Sequence, residues 1–388
     1  LRRQRQMCIR DRNYTMKQIL YLLLGCLIPF QFLTAKMYSS PERTPVDYVN
    51  PYIGNISHLL VPTYPTVHLP NSMLRVYPER ENFTGNTING LPLIVTSHRG
   101  SSAFNLSPYQ GELQKAGSII QYGYDNEVIK PYYYSVDLDD DGMYVQYAPS
   151  HQSGIYQIDF SQTDKPAYLI FNTRNGELKT DGKSISGYQK LGNHTQVYIY
   201  LETDQQPLKI GTHQGAVIRT TDKSTQGHNA YYILEYPKGT ASVLLRYGVS
   251  FISSEQAKQN LRREIKNYNL QAVADKGRSV WNETLGKIFV KGGTENEKTV
   301  FYTSLYRTYE RMICISEDGR YFSAYDGQVH DDEGIPFYVD DWIWDTYRAT
   351  HPLRLIIETE MESNMVNSLI RMAYQLSLIH ISEPTRRS

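Results

Sequence analysis

The sequence predicts a mixed fold, β then α, with an N-terminal β-sandwich followed by a helical domain. Hydrophobic residues alternate with period two between about Asp47 and Ser253, and they recur at helical spacing after Ser253. The 388 residues leave room for two domains, and 40% hydrophobic with 21% charged residues is typical of a globular protein. The formal net charge is zero, so no basic surface exists to attract nucleic acid, and we exclude that class of partner.

The sandwich is predicted over residues 45–252. Its strands are short segments rich in β-branched and aromatic residues, and no helical run interrupts them. They read MYVQYAPS, GIYQIDFSQ, AYLIFNTR, QVYIYLET, YYILEYP and SVLLRYGVSFI. The clusters LDDDG, YPKGT and TRNGE are predicted to be turns. Short strands at this spacing are typical of a β-sandwich.

A helical linker is predicted over residues 253–292. It begins with a capping box, in which the Ser253 hydroxyl and the Gln256 amide satisfy each other's backbone N–H groups. A second capping box, Thr294 with Glu297, opens the helical domain predicted over residues 293–376. The stripe expected to be buried on this helix comprises Phe301, Leu305, Thr308 and Met312.

The last predicted helix reads TEMESNMVNSLIRMAYQ, and Thr359 with Glu362 forms its capping box. Its buried face is predicted to comprise Met365, Val366, Leu369, Ile370 and Ala373. An all-helical domain closes its core only when further helices cover such stripes. We therefore expect the stripes of residues 300–312 and 365–373 to lack partners and the chain to associate with itself.

The two ends of the chain are expected to be non-native. Residues 1–15 and about 377–388 resemble translated sequencing-adapter text, and the helical pattern stops abruptly at Leu376. Residues 16–35 are predicted to be a signal peptide, because one lysine precedes an apolar run and then small residues. Two interpretations stay open: LLGC ending at Cys26 is typical of a lipoprotein, and LTA ending at Ala35 of ordinary cleavage. Since Cys314 is the only cysteine elsewhere, no disulfide or thiolate metal site is expected.

The segment DDWIWDTYRATHPL, which begins at Asp340, is the candidate site, and it holds two of the three tryptophans. Pro352 predicts a helix that ends near His351. One face of that helix would carry Asp341, Trp344, Asp345 and Arg348. These residues suit an exposed surface in which Asp345 pairs with Arg348. They equally suit a sugar subsite, in which an indole covers the C–H face while carboxylate and guanidinium groups bind hydroxyls.

The chain resembles glycoside hydrolase family 92, the calcium-dependent α-mannosidases, over about residues 45–376. The motifs that carry the resemblance are WNETLGKIFV, FYTSLYRTYERM, DGRYFSAYDGQVH and WDTYRATHPL, together with VDYVNPYIGN and LSPYQGEL in the N-terminal half. The resemblance implies that a β-sandwich packs on an (α/α)6 barrel, of which residues 293–376 would be the truncated start. It also implies inverting, exo-acting hydrolysis by a glutamate acid and a carboxylate base, with calcium helping to bind the terminal mannose.

The resemblance places the acid, the base and the calcium ligands downstream of Leu376, so this chain alone is expected to be inactive. Trp344, Asp345 and Arg348 match the family motif and are the predicted substrate ligands, with Asp345 the direct sugar ligand. Asp340, Asp341 and His351 flank them as further candidates. The glycine- and histidine-rich loop of the family is replaced here, and the residues predicted to take its place are His68, His98 and Arg99.

The predicted partner is a mannose-containing oligosaccharide or glycoprotein glycan, with an α-1,2 linkage expected. The predicted location is the bacterial periplasm, the outer-membrane surface or the medium, with a lipid anchor if Cys26 is acylated. Two alternatives remain: a non-catalytic carbohydrate-binding envelope protein, and a related glycosidase that acts on another sugar.

Overall fold

The computed structural model describes residues 43–57, 62–80, 84–96, 102–138, 142–161, 164–192, 194–214 and 217–376. The predicted signal peptide with Cys26, both predicted non-native ends, and the loop candidates His98 and Arg99 lie outside the described residues. Residues from Arg43 onward belong to one compact unit. Among the described helices, none combines the length and the apolar character needed to cross a membrane.

The N-terminal half is built of antiparallel strands. In chain order the strands β1–β20 are Val67–His68, Arg75–Val76, Thr87–Asn89, Leu91–Pro92, Phe104–Gln110, Gln121–Lys130, Tyr133–Leu138, Met143–Pro149, Ser153–Asp159, Ala167–Thr180, Ser184–Gly192, Thr195–Thr203, Lys209–Gln214, Val217–Arg219, Ser224–Tyr236, Ser242–Ser250, Ile313–Cys314, Arg320–Ser323, Gln328–Asp331 and Tyr338–Val339. Fourteen of them form one large sheet, in the order β14-β13-β15-β10-β11-β12-β16-β9-β8-β7-β6-β3, with β5 pairing with β10 and β4 with β5. The predicted β-sandwich followed by helices is confirmed.

The six predicted strand segments correspond to β8, β9, β10, β12, β15 and β16. The predicted turn TRNGE is wrong, because it lies inside β10. There β10 stops pairing with β5 at Thr173 and begins pairing with β11 at Gly176. A Cβ atom on Gly176 would lie 1.8 Å from the Tyr188 carbonyl oxygen, so the glycine permits the close approach of β11. The polar cluster therefore marks a change of neighbour rather than a reversal of the chain.

Tyrosines contribute much of the sandwich core. Tyr147, Tyr156 and Tyr247 are fully buried with the aliphatic side chains that point inward from the same strands. The Tyr156 hydroxyl donates to the Pro92 carbonyl and the Tyr247 hydroxyl to the Leu93 carbonyl, at 2.5 and 2.6 Å. Each ring thus buries apolar area while its polar end is satisfied.

Six α-helices are present in the described part of the chain, all after the sandwich. The helices α1–α6 are Ser254–Glu264, Leu270–Leu285, Glu295–Thr308, Ile343–Thr346, Thr350–Ile357 and Thr359–Gln375. Where the sandwich is described, its helical turns are two short 3-10 helices, Pro45–Tyr48 and Leu113–Lys115.

The three predicted capping boxes have different outcomes. The Thr294–Glu297 box is confirmed in full at the start of α3. Ser253 caps α1 as predicted, but the Gln256 amide donates to Asn260 and Asp318 instead of returning the bond. The box predicted for α6 is absent: the Thr359 hydroxyl donates to the Leu355 carbonyl, and the Glu362 carboxylate contacts a histidine described below.

A second core joins the helices to one side of the sandwich. Trp281 of α2 is fully buried among Leu285, Leu305, Tyr306 and Tyr309. The stripe of residues 300–312 therefore has partners, contrary to the expectation. Of its predicted members, Leu305 and Met312 are buried, while Phe301 and Thr308 are half-buried.

The buried face of α6 differs from the prediction. Met365 is buried and Leu369 is half-buried, but Ala373 is exposed, and Val366 and Ile370 are 44% and 48% exposed. The face that packs inward carries Glu362, Met365, Ser368 and Met372. Polar contacts set this orientation, because the Ser368 hydroxyl accepts from the Tyr338 N–H at 2.9 Å and the Arg371 guanidinium donates to two carbonyls of residues 332–335.

Candidate functional site

The segment from Asp340 to His351 is not one helix. It contains α4, a turn and the start of α5, so the predicted helix that ends near His351 is wrong. Pro352 lies in the first turn of α5, where its missing N–H would have had no partner and its fixed φ suits the helix. As a consequence, Asp341 and Trp344 do not share one exposed helical face: the Asp341 side chain is 5% exposed and Trp344 is 65% exposed.

Asp340 connects the segment to the sandwich. Its carboxylate accepts hydrogen bonds from Arg75 Nη2 at 2.6 Å and Arg311 Nη1 at 3.0 Å. Arg75, on β2, is buried and also donates to the carbonyls of Val95 and Glu310. Asp340 adopts a φ of +69°, in the left-handed region that a non-glycine residue enters only with support from its surroundings. The two guanidinium groups supply that support.

An aromatic stack follows Asp340. The Arg311 guanidinium carbon lies 4.6 Å from the centroid of the Trp342 ring, within the range of a cation–π interaction. The Trp342 and Trp344 rings are stacked, with centroids 6.0 Å apart and an interplanar angle of 22°. Because Trp344 is 65% exposed, the stack ends in a flat apolar surface that is open to solvent.

Asp345 and Arg348, the other two residues of the predicted sugar site, are both exposed. Arg348 Nε donates to the Tyr347 hydroxyl at 3.3 Å, and the predicted pair between Arg348 and Asp345 is not formed. Within the described part of the chain, the Asp345 carboxylate has no hydrogen-bond or ion-pair partner. An exposed carboxylate beside an exposed indole is therefore available to a polar ligand.

His351 lies beneath this surface and contacts two carboxylates. Its Nε2 atom is 3.2 Å from Asp341 Oδ2, and its Nδ1 atom is 2.6 Å from Glu362 Oε1. The second oxygen of Asp341 accepts from the Thr346 hydroxyl at 2.9 Å. The structure thus brings the candidates Asp341 and His351 together, but it turns both away from solvent.

His68 lies in the core rather than in an exposed loop. It is 1% exposed, with its ring 5.3 Å from Trp281 and 5.1 Å from Tyr306, centroid to centroid. Its Nδ1 atom is 2.8 Å from the Leu69 carbonyl oxygen. Burial lowers the pKa of His68 to about 4, so the imidazole is neutral near pH 7. Its predicted role as a sugar ligand remains a prediction without geometric support.

Sequence reasoning missed the charged residues at the end of α3. Arg307 donates to the Tyr64 and Pro51 carbonyls and to the Glu310 carboxylate, which also accepts from the Thr66 hydroxyl. Burial acts to raise the pKa of Glu310, but the Arg307 charge and the hydrogen bonds from Thr66 and Arg307 together hold that pKa below its ordinary value. The available signal was the text YRTYERM, whose arginines and glutamate follow directly on a helix with a buried face.

The described residues do not provide a calcium site. No group of three or more His, Cys, Asp or Glu side chains among them is placed to hold a metal ion. The carboxylates of the segment are engaged by arginine, histidine and threonine or, in the case of Asp345, stand alone. These residues do not fit calcium, and no chemical step is assigned to it here.

Comparison with known proteins identifies the class of this antiparallel sandwich packed on helices as the glycoside hydrolases. Residues 48–250 match the glycosyl hydrolase family 92 N-terminal domain, and residues 256–383 match the family 92 catalytic domain. The chain belongs to glycosyl hydrolase family 92.

Solved structures share this fold. A family GH92 inverting mannosidase from Bacteroides thetaiotaomicron VPI-5482 is 25% identical, with a TM-score of 0.76 over 86% of this chain and 49% of that chain. A family GH92 α-mannosidase from the same species, in complex with mannoimidazole, is 22% identical, with a TM-score of 0.77 over 87% of this chain and 49% of that chain. An uncharacterized secreted glycosidase from Arthroderma benhamiae is 22% identical over 74% of this chain and 44% of its own length. The chain therefore spans about half the length of the relatives it matches.

Proposed function

We propose that the protein is an exported α-mannosidase that hydrolyses terminal α-mannosides, α-1,2-linked and carried on glycoprotein glycans, with inversion. Family membership supports the reaction class, and the mannosidase relatives support the sugar. The observation that carries the proposal is the exposed pair of Trp344 and Asp345, because the indole is uncovered and the carboxylate has no partner in the described structure.

The chemistry of a pyranose explains this pair. One side of the ring is largely C–H and packs on an aromatic face, while the hydroxyl groups around it need acceptors and donors. In the proposal, Trp344 covers the C–H face, Asp345 accepts hydrogen bonds from two hydroxyls, and Arg348 donates to a third. The Arg311–Trp342 contact holds the inner side of the stack, which leaves only the outer face of Trp344 for the sugar.

Inverting hydrolysis needs two carboxylates on opposite faces of the sugar, about 6.5–9.5 Å apart so that water fits between them. We assign neither role to residues of this chain, since the family resemblance places the acid and the base outside the motifs it carries. We therefore propose that the chain by itself binds α-mannosides and does not turn them over. Calcium remains a proposal from the resemblance, without ligands among the described residues.

The test is a binding and activity assay of the full chain. Titration calorimetry with methyl α-mannoside and mannoimidazole should show binding that Trp344→Ala abolishes. Phe289→Ala, which removes another exposed aromatic ring (78% exposed), is the matched control and should leave binding unchanged. Hydrolysis of aryl α-glycosides, with and without a calcium chelator, gives the activity. Preference for another sugar would replace mannose in the proposal, and chelator-sensitive turnover by this chain would refute the assignment of the acid and base elsewhere.

Export is supported by the relative named as a secreted glycosidase and by the signal peptide predicted over residues 16–35. Both fates of that segment, lipidation at Cys26 and cleavage after Ala35, remain part of the proposal. The location is accordingly the periplasm, the outer-membrane surface or the medium.

A further inference from the structure

His351 joins three separate elements through one imidazole ring. Asp341 precedes α4, His351 is in the first turn of α5, and Glu362 is in α6. The contacts are 3.2 Å from Nε2 to Asp341 Oδ2 and 2.6 Å from Nδ1 to Glu362 Oε1. All three side chains are largely removed from solvent, with 5%, 13% and 2% exposed for Asp341, His351 and Glu362.

Both contacts of His351 are hydrogen bonds only when both of its ring nitrogens donate. A carboxylate only accepts, and a neutral imidazole has a single N–H, so one of the two contacts would otherwise set a lone pair against an oxygen. Other charges also face this group. Arg354, 1% exposed, donates to the carbonyls of Thr308 and Arg311, and its charge is attracted by Glu362 and Asp341. Two buried carboxylates thus share one imidazole ring and lie near one guanidinium.

The link to the exposed surface runs through Asp341. Its Oδ1 atom accepts from the Thr346 hydroxyl at 2.9 Å. Asp341 precedes α4 and Thr346 is its last residue, so this bond connects the two ends of the helix. This helix has four residues, no side-chain cap and no buried residue. Besides the bond to Asp341, it is supported by the Arg311–Trp342 contact and by the stack of Trp342 on Trp344. Trp344 and Asp345 are the two central residues of α4, and the orientation of their side chains follows the orientation of the helix.

We infer that His351 is a positioning residue: it holds Asp341 against Glu362, and Asp341 in turn fixes α4 so that Trp344 and Asp345 face the sugar together. The sugar-facing part of this inference rests on the proposed function. The effect of His351 on α4 does not, because it concerns contacts within the chain alone.

The experiment records the fluorine NMR spectrum of the full chain labelled with 5-fluorotryptophan. The chain has three tryptophans, and each gives one resonance that reports on its surroundings. In His351→Gln, a single amide cannot bridge both carboxylates in the same geometry. We expect the resonances of Trp342 and Trp344 to shift and broaden while that of the fully buried Trp281 stays in place. His330→Gln is the matched control, since His330 also contacts a carboxylate, Asp326, at 2.8 Å, but lies elsewhere. It should leave the Trp342 and Trp344 resonances unchanged.

A folded His351→Gln variant with unchanged Trp342 and Trp344 resonances would overturn the inference. If that variant does not fold, Thr346→Val decides through the Trp344 resonance, because it removes the bond from Asp341 to the end of α4. The other contact of the Thr346 hydroxyl, 3.1 Å to the Trp342 carbonyl oxygen, is lost with it. A shift of Trp344 in Thr346→Val supports the inference, and its absence overturns it. Methyl α-mannoside affinity is measured in parallel. If the parent chain does not bind the mannoside, the proposed function is refuted. The resonances would still test the role of His351, because they do not depend on sugar binding.

Discussion

Glu317 offers a sharp test of the packing between the sandwich and the helices, through the pH dependence of stability. Its side chain is fully buried where β16 meets α1, and its two oxygens accept from the Phe251 N–H at 2.9 Å and Asn260 Nδ2 at 2.7 Å. Burial raises the pKa of Glu317 to about 7 from 4.5, although these hydrogen bonds and the Arg263 charge oppose the rise. The native state therefore holds a proton that the unfolded state releases.

The sign and size of the pH dependence of stability follow from the difference in proton binding between the folded and unfolded states. Between pH 4.5 and 7 the folded state binds more protons at Glu317 than the unfolded state, so the free energy of unfolding falls as pH rises. At about 1.36 kcal/mol per pH unit, the full effect is roughly 3 kcal/mol, present below pH 4.5 and lost above pH 7. His68 acts in the opposite direction. Its pKa falls from 6.5 to about 4, so stability rises with pH across that range by a similar roughly 3 kcal/mol.

These opposite slopes make a single substitution informative. Glu317→Gln removes the titration, and any mismatch of its amide with Asn260 is independent of pH. The free energy of unfolding of the parent and of this variant is measured by urea unfolding at a series of pH values. The difference between the two should change by roughly 3 kcal/mol between pH 4.5 and 7. The stability of the Glu317→Gln variant should rise with pH, because Glu317 no longer offsets the contribution of His68. His68→Phe should show the reverse.

Glu333→Gln, at a carboxylate whose side chain is 81% exposed, is the control and should track the parent at every pH. A parent-minus-Glu317→Gln difference that is flat over the window would refute the reasoning. It would mean that the two N–H donors and Arg263 stabilise the ionised form enough to cancel the cost of burial.

Three further predictions concern the site and the export signal. Asp345→Asn, in a chain with mannoside affinity, should weaken binding by about 1.5–3 kcal/mol at an unchanged melting temperature, since the lost bonds involve a charged acceptor; a lower melting temperature at full affinity would show a structural role instead. Arg75→Met should destabilise the fold by about 3–5 kcal/mol in urea unfolding, because Asp340 and two carbonyls lose a buried donor. The exposed pair of Arg43 with Glu295 is its control, and Arg43→Met should cost at most about 1 kcal/mol. Labelled palmitate should be incorporated into the expressed protein and lost in Cys26→Ala, whereas a mature N-terminus at Lys36 would exclude lipidation.

The sequence predicted the elements whose periodicity is set by burial. Strands β8, β9, β12 and β16 appear where two-residue alternation predicts them, because one face of each lies in the sandwich core. The prediction failed where polar residues continue a strand. In TRNGE, the glycine typical of a turn is needed because β11 approaches Gly176 closely. Single-sequence patterns do not distinguish these two uses of glycine.

At the candidate site, the sugar-binding role of the segment stays a prediction, and its geometry was not predictable from the sequence. The combination of tryptophans and aspartates predicts a sugar surface, but Pro352, which predicts the end of a helix, lies in the first turn of one. The partners of His351 come from residues ten and eleven positions away, across helix boundaries that no local pattern fixes. Glu362 was interpreted as a capping residue because its spacing from Thr359 fits that motif. The tertiary contact with His351 overrides this local preference.

The contacts that link the sandwich to the exposed indole bear on one alternative to an α-mannosidase, a non-catalytic protein whose sandwich alone binds carbohydrate. Arg75 belongs to the sandwich and donates to Asp340. Arg311 donates to the same carboxylate, and its guanidinium group lies over the Trp342 ring. Trp342 in turn supports Trp344, so the exposed indole depends on a buried guanidinium from the other half of the chain. A sandwich of residues 45–252 alone would retain Arg75 without its carboxylate and would lack Trp344. Binding by such a sandwich alone would need a different surface, and the contacts described here therefore favour a pocket to which both halves contribute.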